Sequence, residues 1–491
     1  MTALTLEKLS VRYGSRQALR EVDLSVRSGE CVLLAGASGS GKSTLVRCLN
    51  RLVPQCLPGE VSGNVLLDGR PIGHTTVAEL SRSVGVVFQN PRTQLLNVRI
   101  EDEVAFGPRN LGLDGDEVER RVTWALDAVG LTHLRPRTTN ALSGGERQRL
   151  AIAAVLAMGP RLLVLDEPMA SLDVAGTRAV VDTVRRLNRD EGVTVIVVEH
   201  RLGPAAAIAD RTLVLDGGEV VADGPTGVVL GDRALLRRLG LSRPADDAQI
   251  TWRELVEPMP VRRAAPLVSL RGVTAGEGRQ PALVDLDLTI QRGDFVALVG
   301  DNGAGKSTLA RVIAGLLKPR RGVVSYGCGR RLRPGSGVGM LFQDPTAQLL
   351  CDTVEQEVAL GPRNLGRADA AAVDEALSAV DLAGHRERAV YALSLGEQQR
   401  LAVAAVLSMA PDLVILDEPT VGQDWGHMGR FMDAVRRLNE AGSTILLITH
   451  DFKLVHHNAS RVVVLDKGRV VADGVSRFRQ GEEGALRCAS A

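Results

Sequence analysis

No charge of one sign dominates this 491-residue chain: 59 basic and 58 acidic residues leave a formal net charge of +1. That balance argues against a surface built mainly to hold nucleic acid, which needs a basic excess. Cysteine is sparse and scattered. The six (Cys31, Cys48, Cys56, Cys328, Cys351, Cys488) form no Cys-x-x-Cys pair and no zinc-like spacing with histidine. Reduced thiols are therefore expected, not a disulfide frame or a metal site. Long hydrophobic runs are missing too. The N-terminus MTALTLEKLSVRYG carries charges where a signal peptide needs an apolar run, and LAIAAVLAM from Leu150 stops well short of the ~20 residues of a membrane span. The expectation is a soluble chain whose membrane role, if it has one, comes through a partner. Apolar content is ordinary at 45%, enough for each half to bury its own core.

What the chain does have is one pattern written twice. GASGSGKSTL from Gly36 recurs as GDNGAGKSTL from Gly300, an offset of 300 − 36 = 264, and VVFQNPRTQLL from Val86 recurs as MLFQDPTAQLL from Met340, an offset of 340 − 86 = 254. LLVLDEP and LVILDEP repeat at 417 − 166 = 251. Periods this long mark whole domains and not solenoid units. The first copy carries about ten more residues between its glycine loop and FQNP, a length change that surface loops tolerate. Within each copy, buried-strand runs such as CVLLAG, LLVLDE, TVIVVEH and TLVLDGG alternate with turn or helix signals, which predicts a largely parallel α/β core. The cleaner alternation of LTLEKLSVRYG and ALREVDLSVRSGE predicts an antiparallel β layer. The expected division is 1–240, a proline-bearing linker over 241–265, and 266–491.

Both glycine loops match G-x-x-x-x-G-K-[ST] after an apolar strand and before a helical pattern. Gly36, Ser38, Gly39, Gly41, Lys42, Ser43 and Thr44, with Gly300, Asn302, Gly303, Gly305, Lys306, Ser307 and Thr308, are the candidate ATP-binding residues. Backbone N–H groups close around phosphate oxygens, Lys42 and Lys306 reach the outer phosphates, and Ser43 and Ser307 can ligate Mg²⁺. Asp166 and Asp417 end buried strands and are placed to hold the same metal. Glu167 and Glu418, next in sequence, can orient or activate the attacking water.

LSGGERQ, Leu142 to Gln148, narrows the class: here the chain resembles the ATP-binding-cassette (ABC) family over nearly its whole length. The resemblance implies two tandem P-loop NTPase domains of α/β class, each with a mainly parallel core sheet, an antiparallel β layer and a helical signature subdomain. It implies that Gln89 and Gln343 sense metal and water and face a transport partner. Ser143, Gly144 and Gly145, and Ser394, Leu395 and Gly396, match the signature that closes on ATP held by an opposite domain. Asp173 and Asp424 match a dimer-contact loop, and His200 and His450 a catalytic switch histidine. Tyr13 matches the aromatic that stacks on adenine; Glu277 stands at its equivalent in the second copy. At Leu395 the second signature departs from glycine, which impairs closure if the loop needs φ > 0 there and is nearly silent otherwise. If the halves pair head to tail within the chain, the first site joins Tyr13 to the altered signature, and the second joins the intact signature to a loop without a base platform. Both sites are then expected to bind and hydrolyse ATP, at unequal rates.

The strings NPRTQLLNVRIEDEVAFGPRNLG and DPTAQLLCDTVEQEVALGPRNLG resemble the ATPases of energy-coupling factor (ECF) importers. That resemblance implies import of a vitamin, a vitamin precursor or a transition-metal ion, with a transmembrane scaffold and a separate substrate-binding membrane subunit as partners. The expected location is the cytoplasmic face of the membrane. Glu101, Asp102, Glu103, Glu355 and Glu357 are read as acids receiving basic coupling helices. An ordinary amphipathic helix with a solvated acidic face is the plainer alternative. Two other functions stay open: the fused ATPase of a monosaccharide importer, and a non-transport ABC ATPase acting on ribosomes or DNA.

Overall fold

The computed structural model describes residues 2–37, 39–170, 172, 174–199, 202–241, 252, 256–258, 265–277, 280–327, 332, 334–342, 347–367, 369–419, 425–449 and 451–476. The chain divides into two compact units, Met1–Asp247 and Ala248–Ala491.

In the first unit, five parallel strands and one antiparallel edge strand form the central sheet. Its order is Glu219–Pro225, Arg211–Asp216, Cys31–Ala35, Thr194–Val198, Leu162–Asp166, Val84–Val87. Four of these strands are buried at every residue, because both faces of the sheet are covered. Alternate residues serve two cores. Cys31, Leu33 and Ala35 face a cluster with Val104, Leu126, Leu150 and Val184 from the helices, while Val32 and Leu34 face Leu4, Leu6 and Val11 of an antiparallel sheet. That second sheet runs Arg16–Arg27, Thr2–Tyr13, Glu60–Leu67, Arg70–Pro71. The predicted parallel core and antiparallel layer are both present.

The second unit repeats this plan. Its central sheet runs Val256–Pro258, Arg469–Ser476, Arg461–Asp466, Phe295–Val299, Thr444–Ile448, Leu413–Asp417, Val338–Leu341, and its antiparallel sheet Leu283–Gln291, Pro266–Ala275, Arg321–Tyr326. Two differences stand out. The first unit has the short fourth strand Arg70–Pro71 and the helix Val77–Leu80, which Thr76 and Glu79 close with a capping box, and neither has a counterpart among the described residues of the second. Conversely, Val256–Pro258, from the segment expected to be linker, pairs antiparallel with Arg469–Ser476 as a seventh strand. Trp252 and Val256 pack on the second unit's core, whereas Leu241 belongs to the first. Among the described residues no helix is long and apolar enough to cross a membrane.

Candidate functional site

Each phosphate loop joins a buried strand to a helix, Cys31–Ala35 to Lys42–Leu49 and Phe295–Val299 to Lys306–Ile313. The turn needs glycine just before the helix: Gly41 and Gly305 have φ 108° and 103°. A Cβ at either would lie 2.6 Å from a backbone oxygen, of Ala18 or Ala282. Ala18-Leu19 and Ala282-Leu283, at the same offset of 282 − 18 = 264, thus brace both loops. Lys42 and Lys306 are buried. Lys42 Nζ donates to Gly36 O and Ala37 O at 2.8 Å each, and Lys306 Nζ to Gly300 O at 2.6 Å and Asp301 O at 3.0 Å. Each ammonium is held inside the loop by carbonyl oxygens, within reach of any anion the loop amides attract.

Asp166 and Asp417 are buried at the ends of Leu162–Asp166 and Leu413–Asp417, each separated by one strand from the strand that feeds the phosphate loop. Burial pushes the Asp417 carboxyl above the usual range, opposed by a hydrogen bond from Ser307, then by the charges of Lys306 and Arg311. The next residues, Glu167 and Glu418, both take left-handed backbone conformations, φ 49° and 52°, uncommon for glutamate. Their N–H groups are fixed on Val198 O and Ile448 O, at 2.8 and 2.9 Å. Gln89, distant in sequence, donates its Nε2 to Glu167 Oε2 at 2.6 Å. The fold therefore brings together the loop glutamine and the acid expected to position water. Ser38, Asp173, His200, Gln343, Asp424 and His450 lie outside the described residues.

Sequence reasoning passed over one buried acid. Glu199 is 1% exposed and accepts the Met169 N–H at 2.9 Å, tying the strand that leads to His200 to the turn after Glu167. The second copy has Thr449 there, whose hydroxyl accepts from Asp451 N within its own turn. The signal was readable as EH against TH at the strand ends.

The signature serines each start a helix, Gly144–Leu156 and Leu395–Leu407, with capping boxes between Ser143 and Glu146 and between Ser394 and Glu397. Gly144 and Leu395 occupy the first helical position, and neither has positive φ. The leucine meets no backbone penalty, the nearly silent branch of the expectation. Gly145 is more constrained, since a Cβ there would lie 2.9 Å from Gly176 Cα. Gly396 occupies the matching place in its helix.

Tyr13 is half-buried. Its ring edge lies 3.1 Å from where a Cβ on Gly59 would stand, and its hydroxyl is enclosed without a hydrogen-bond partner. At the equivalent place Glu277 is exposed and ion-paired with Arg311 at 3.2 Å.

The acidic docking patch needs correction. Glu103 and Glu357 are each only 4% exposed. Glu103 Oε2 accepts from Leu96 N (2.9 Å), Asn97 N (2.6 Å) and Asn97 Nδ2 (3.1 Å), and Glu357 Oε2 from Leu350 N (2.8 Å) and Cys351 N (2.7 Å). A buried carboxylate is retained because it satisfies loop N–H groups that have no other partner. These acids cannot receive a partner's basic residues; they shape the loop. Glu101, Asp102 and Glu355 are more accessible but pair internally, with Arg99 and Arg135, with Arg109, and with Arg386. Gln94 and Gln348 complete the support by accepting from Phe88 N and Phe342 N at 3.0 and 2.8 Å. The loops so held present apolar side chains outward: Leu96 is 69% exposed, Val98 65% and Leu350 77%. Beside the second loop lies an apolar groove of about 290 Å³, lined by Leu316, Met340, Phe342, Gln348 and Leu360.

Residues 19–170 and 283–421 match the family described as ABC transporter. A Methanosarcina acetivorans protein named as an ABC transporter ATP-binding protein is 40% identical, over 96% of this chain and 85% of its own length. YkoD of Bacillus subtilis, named as an HMP/thiamine import ATP-binding protein, is 34% identical over 96% of this chain and 91% of its own. Among solved structures, cbiO1 of Clostridium perfringens, described as part of the ABC transporter complex cbiONQ, is 32% identical. It aligns over 49% of this chain and 94% of that one, with a TM-score of 0.44.

Proposed function

This chain belongs to the ABC transporter family as a tandem ATP-binding subunit, an ATPase that works with transmembrane partners, and on that premise we propose that it energises an ECF-type importer. The observation that carries the proposal is the pair of loops held by Glu103 and Glu357. Each turns leucine outward beside a strand end that leads to the phosphate site, and both copies do it with the same bonds. Exposed apolar side chains on a rigid loop are what a partner helix buries. The likeness to YkoD, whose name specifies import, supports the importer reading. The imported substrate would be a vitamin, a vitamin precursor or a transition-metal ion, chosen by a separate membrane subunit.

In this reading the residues of the two glycine loops hold the ATP phosphates, Tyr13 supports the first adenine, and Glu167 and Glu418 orient the attacking water, aided by His200 and His450. Ser143, Gly145, Ser394 and Gly396 supply signature contacts to nucleotide. Mg²⁺ fits the donor set. Ser307 and Asp417 already lie within hydrogen-bond reach, both are hard oxygen donors, and the buried Asp417 carboxyl gains from a neighbouring cation. Ser43, Asp166, Gln89 and Gln343 would complete the two sets, and the ion would neutralise phosphate charge.

Affinity capture of the full chain from membranes tests the proposal. Recovery of a small multi-span scaffold with a separate substrate-binding membrane protein is expected, and that recovery should fail when Leu96 and Leu350 are both changed to Asp. Recovery of ribosomes or DNA instead would overturn it.

A further inference from the structure

One cation at the first phosphate loop is unused by the site described so far. The strands Thr2–Tyr13 and Arg16–Arg27 are joined by the two-residue turn Gly14-Ser15, in which Gly14 takes φ +56°, and Tyr13 and Arg16 are the register pair that closes it. Paired residues on adjacent strands project to the same side, with Cβ atoms about 5 Å apart. The turn therefore offers an aromatic ring and a guanidinium together. Arg16 reaches the phosphate loop: one terminal nitrogen lies 3.4 Å from where a Cβ on Gly39 would stand. Gly39 is mid-loop, with φ +78°. Arg16 is exposed, and its side chain makes no hydrogen bond or ion pair with any described residue. Its neighbour Arg12 shows the usual alternative, pairing with Glu60. An arginine left without a carboxylate, beside a loop whose amides select anions, is placed for a phosphate.

Among its described residues the second unit shows no such device. Its equivalent strands end at Ala275 and begin again at Leu283, and Gln280 stands at the same offset of 280 − 16 = 264. We propose that Arg16 is a further nucleotide-binding residue of the first cassette, contacting the phosphate chain of the bound nucleoside triphosphate, with no counterpart among the described residues of the second. The proposal rests on the reading that the first glycine loop holds ATP.

Binding of radiolabelled ATP and AMP to the full-length chain tests it. Lys306→Ala isolates the first site and Lys42→Ala the second. In the Lys306→Ala background, Arg16→Ala should weaken ATP three- to tenfold and AMP less, the loss should shrink at high salt, and Arg16→Lys should restore part of it. In the Lys42→Ala background, Arg16→Ala should change nothing. The unfolding midpoint without nucleotide should be unaltered, because the side chain bonds to no described residue. Unchanged ATP affinity in the first background, or an equal loss for ATP and AMP, or a loss in both backgrounds, overturns the proposal. If the Lys306→Ala parent binds no ATP, the reading of the loop fails first; if it binds and Arg16→Ala binds equally well, only Arg16 falls.

Discussion

The two cassettes share the lysine-to-carbonyl bonds of the glycine loops and part company at Tyr13 and at the far edge of the sheet. In both, a buried lysine is held by two loop carbonyls, a glutamate is kept at positive φ, and a serine opens the signature helix with a capping box. Such features need several groups fixed at once, so one cannot drift without disabling the rest. The base platform is different. The proposed platform rests on one side chain at a strand end, Tyr13, whose place in the second unit is taken by Glu277, ion-paired with Arg311. Divergence follows the number of constraints on each position.

The comparison can be broken most forcefully at the shared acids. Changing Glu167 and Glu418 together to Gln should lower steady-state ATPase by at least about 100-fold, the range for loss of a general base. Each single change should leave a different residual rate. Equal residual rates would mean that the asymmetry at the base and signature has no catalytic consequence.

Next in size come the loop-holding acids. Glu103→Ala and Glu357→Ala should each cost about 2–4 kcal/mol in denaturant unfolding, since two or three loop N–H groups lose a charged acceptor away from water. A cost below about 1 kcal/mol at either would show that water satisfies the loop instead.

A sharper contrast separates two glycines at equivalent edge positions. A Cβ on Gly474 would lie 1.8 Å from Glu257 O of the added strand, whereas on Gly224 the nearest heavy atom, a Val229 methyl, is 3.5 Å away. Gly474→Ala should destabilise the second unit by about 1–3 kcal/mol and expose Val256–Pro258 to hydrogen exchange. Gly224→Ala should stay within about 0.5 kcal/mol. Equal effects would mean that the seventh strand contributes nothing.

Thiols distinguish the units by pH. Burial pushes Cys31 and Cys48 up to about 12, with Asp210 adding to the effect at Cys31, while Phe295 and Val312 hold those places in the second copy. The unfolded thiols ionise near pH 9 and the folded ones do not. Stability from this source is therefore constant below pH 9 and falls between pH 9 and about 12. Replacing both cysteines by valine should flatten that decline in the first unit. At pH 8 a thiol reagent should modify exposed Cys56 before either of them.

The smallest effect belongs to the base. Tyr13→Ala should weaken ATP at the first site by about 0.5–1.5 kcal/mol, and Glu277→Tyr should strengthen the second by no more than that, both read by equilibrium binding. A larger loss at Tyr13 would point to collapse of its packing on Gly59.

Local spacing was enough to read the duplicated domains, the phosphate loops and the strand-end acids, because each is a contiguous motif whose backbone demands particular residues; the signature serines came from the resemblance to the ABC family. Gly41, Gly305 and the capping boxes are written into a few adjacent positions. Glu103 and Glu357 were misread for the converse reason. An acid in the first turn of an amphipathic helix looks solvated in sequence, and only the path of the preceding loop turns it inward to collect N–H groups. The contact of Gln89 with Glu167 and the seventh strand at Val256–Pro258 also depend on segments far apart in the chain. Sequence by itself determined which residues can make this chemistry; tertiary structure decided which side of the surface each charged side chain occupies, because burial is set by everything that packs against a residue and not by its neighbours alone.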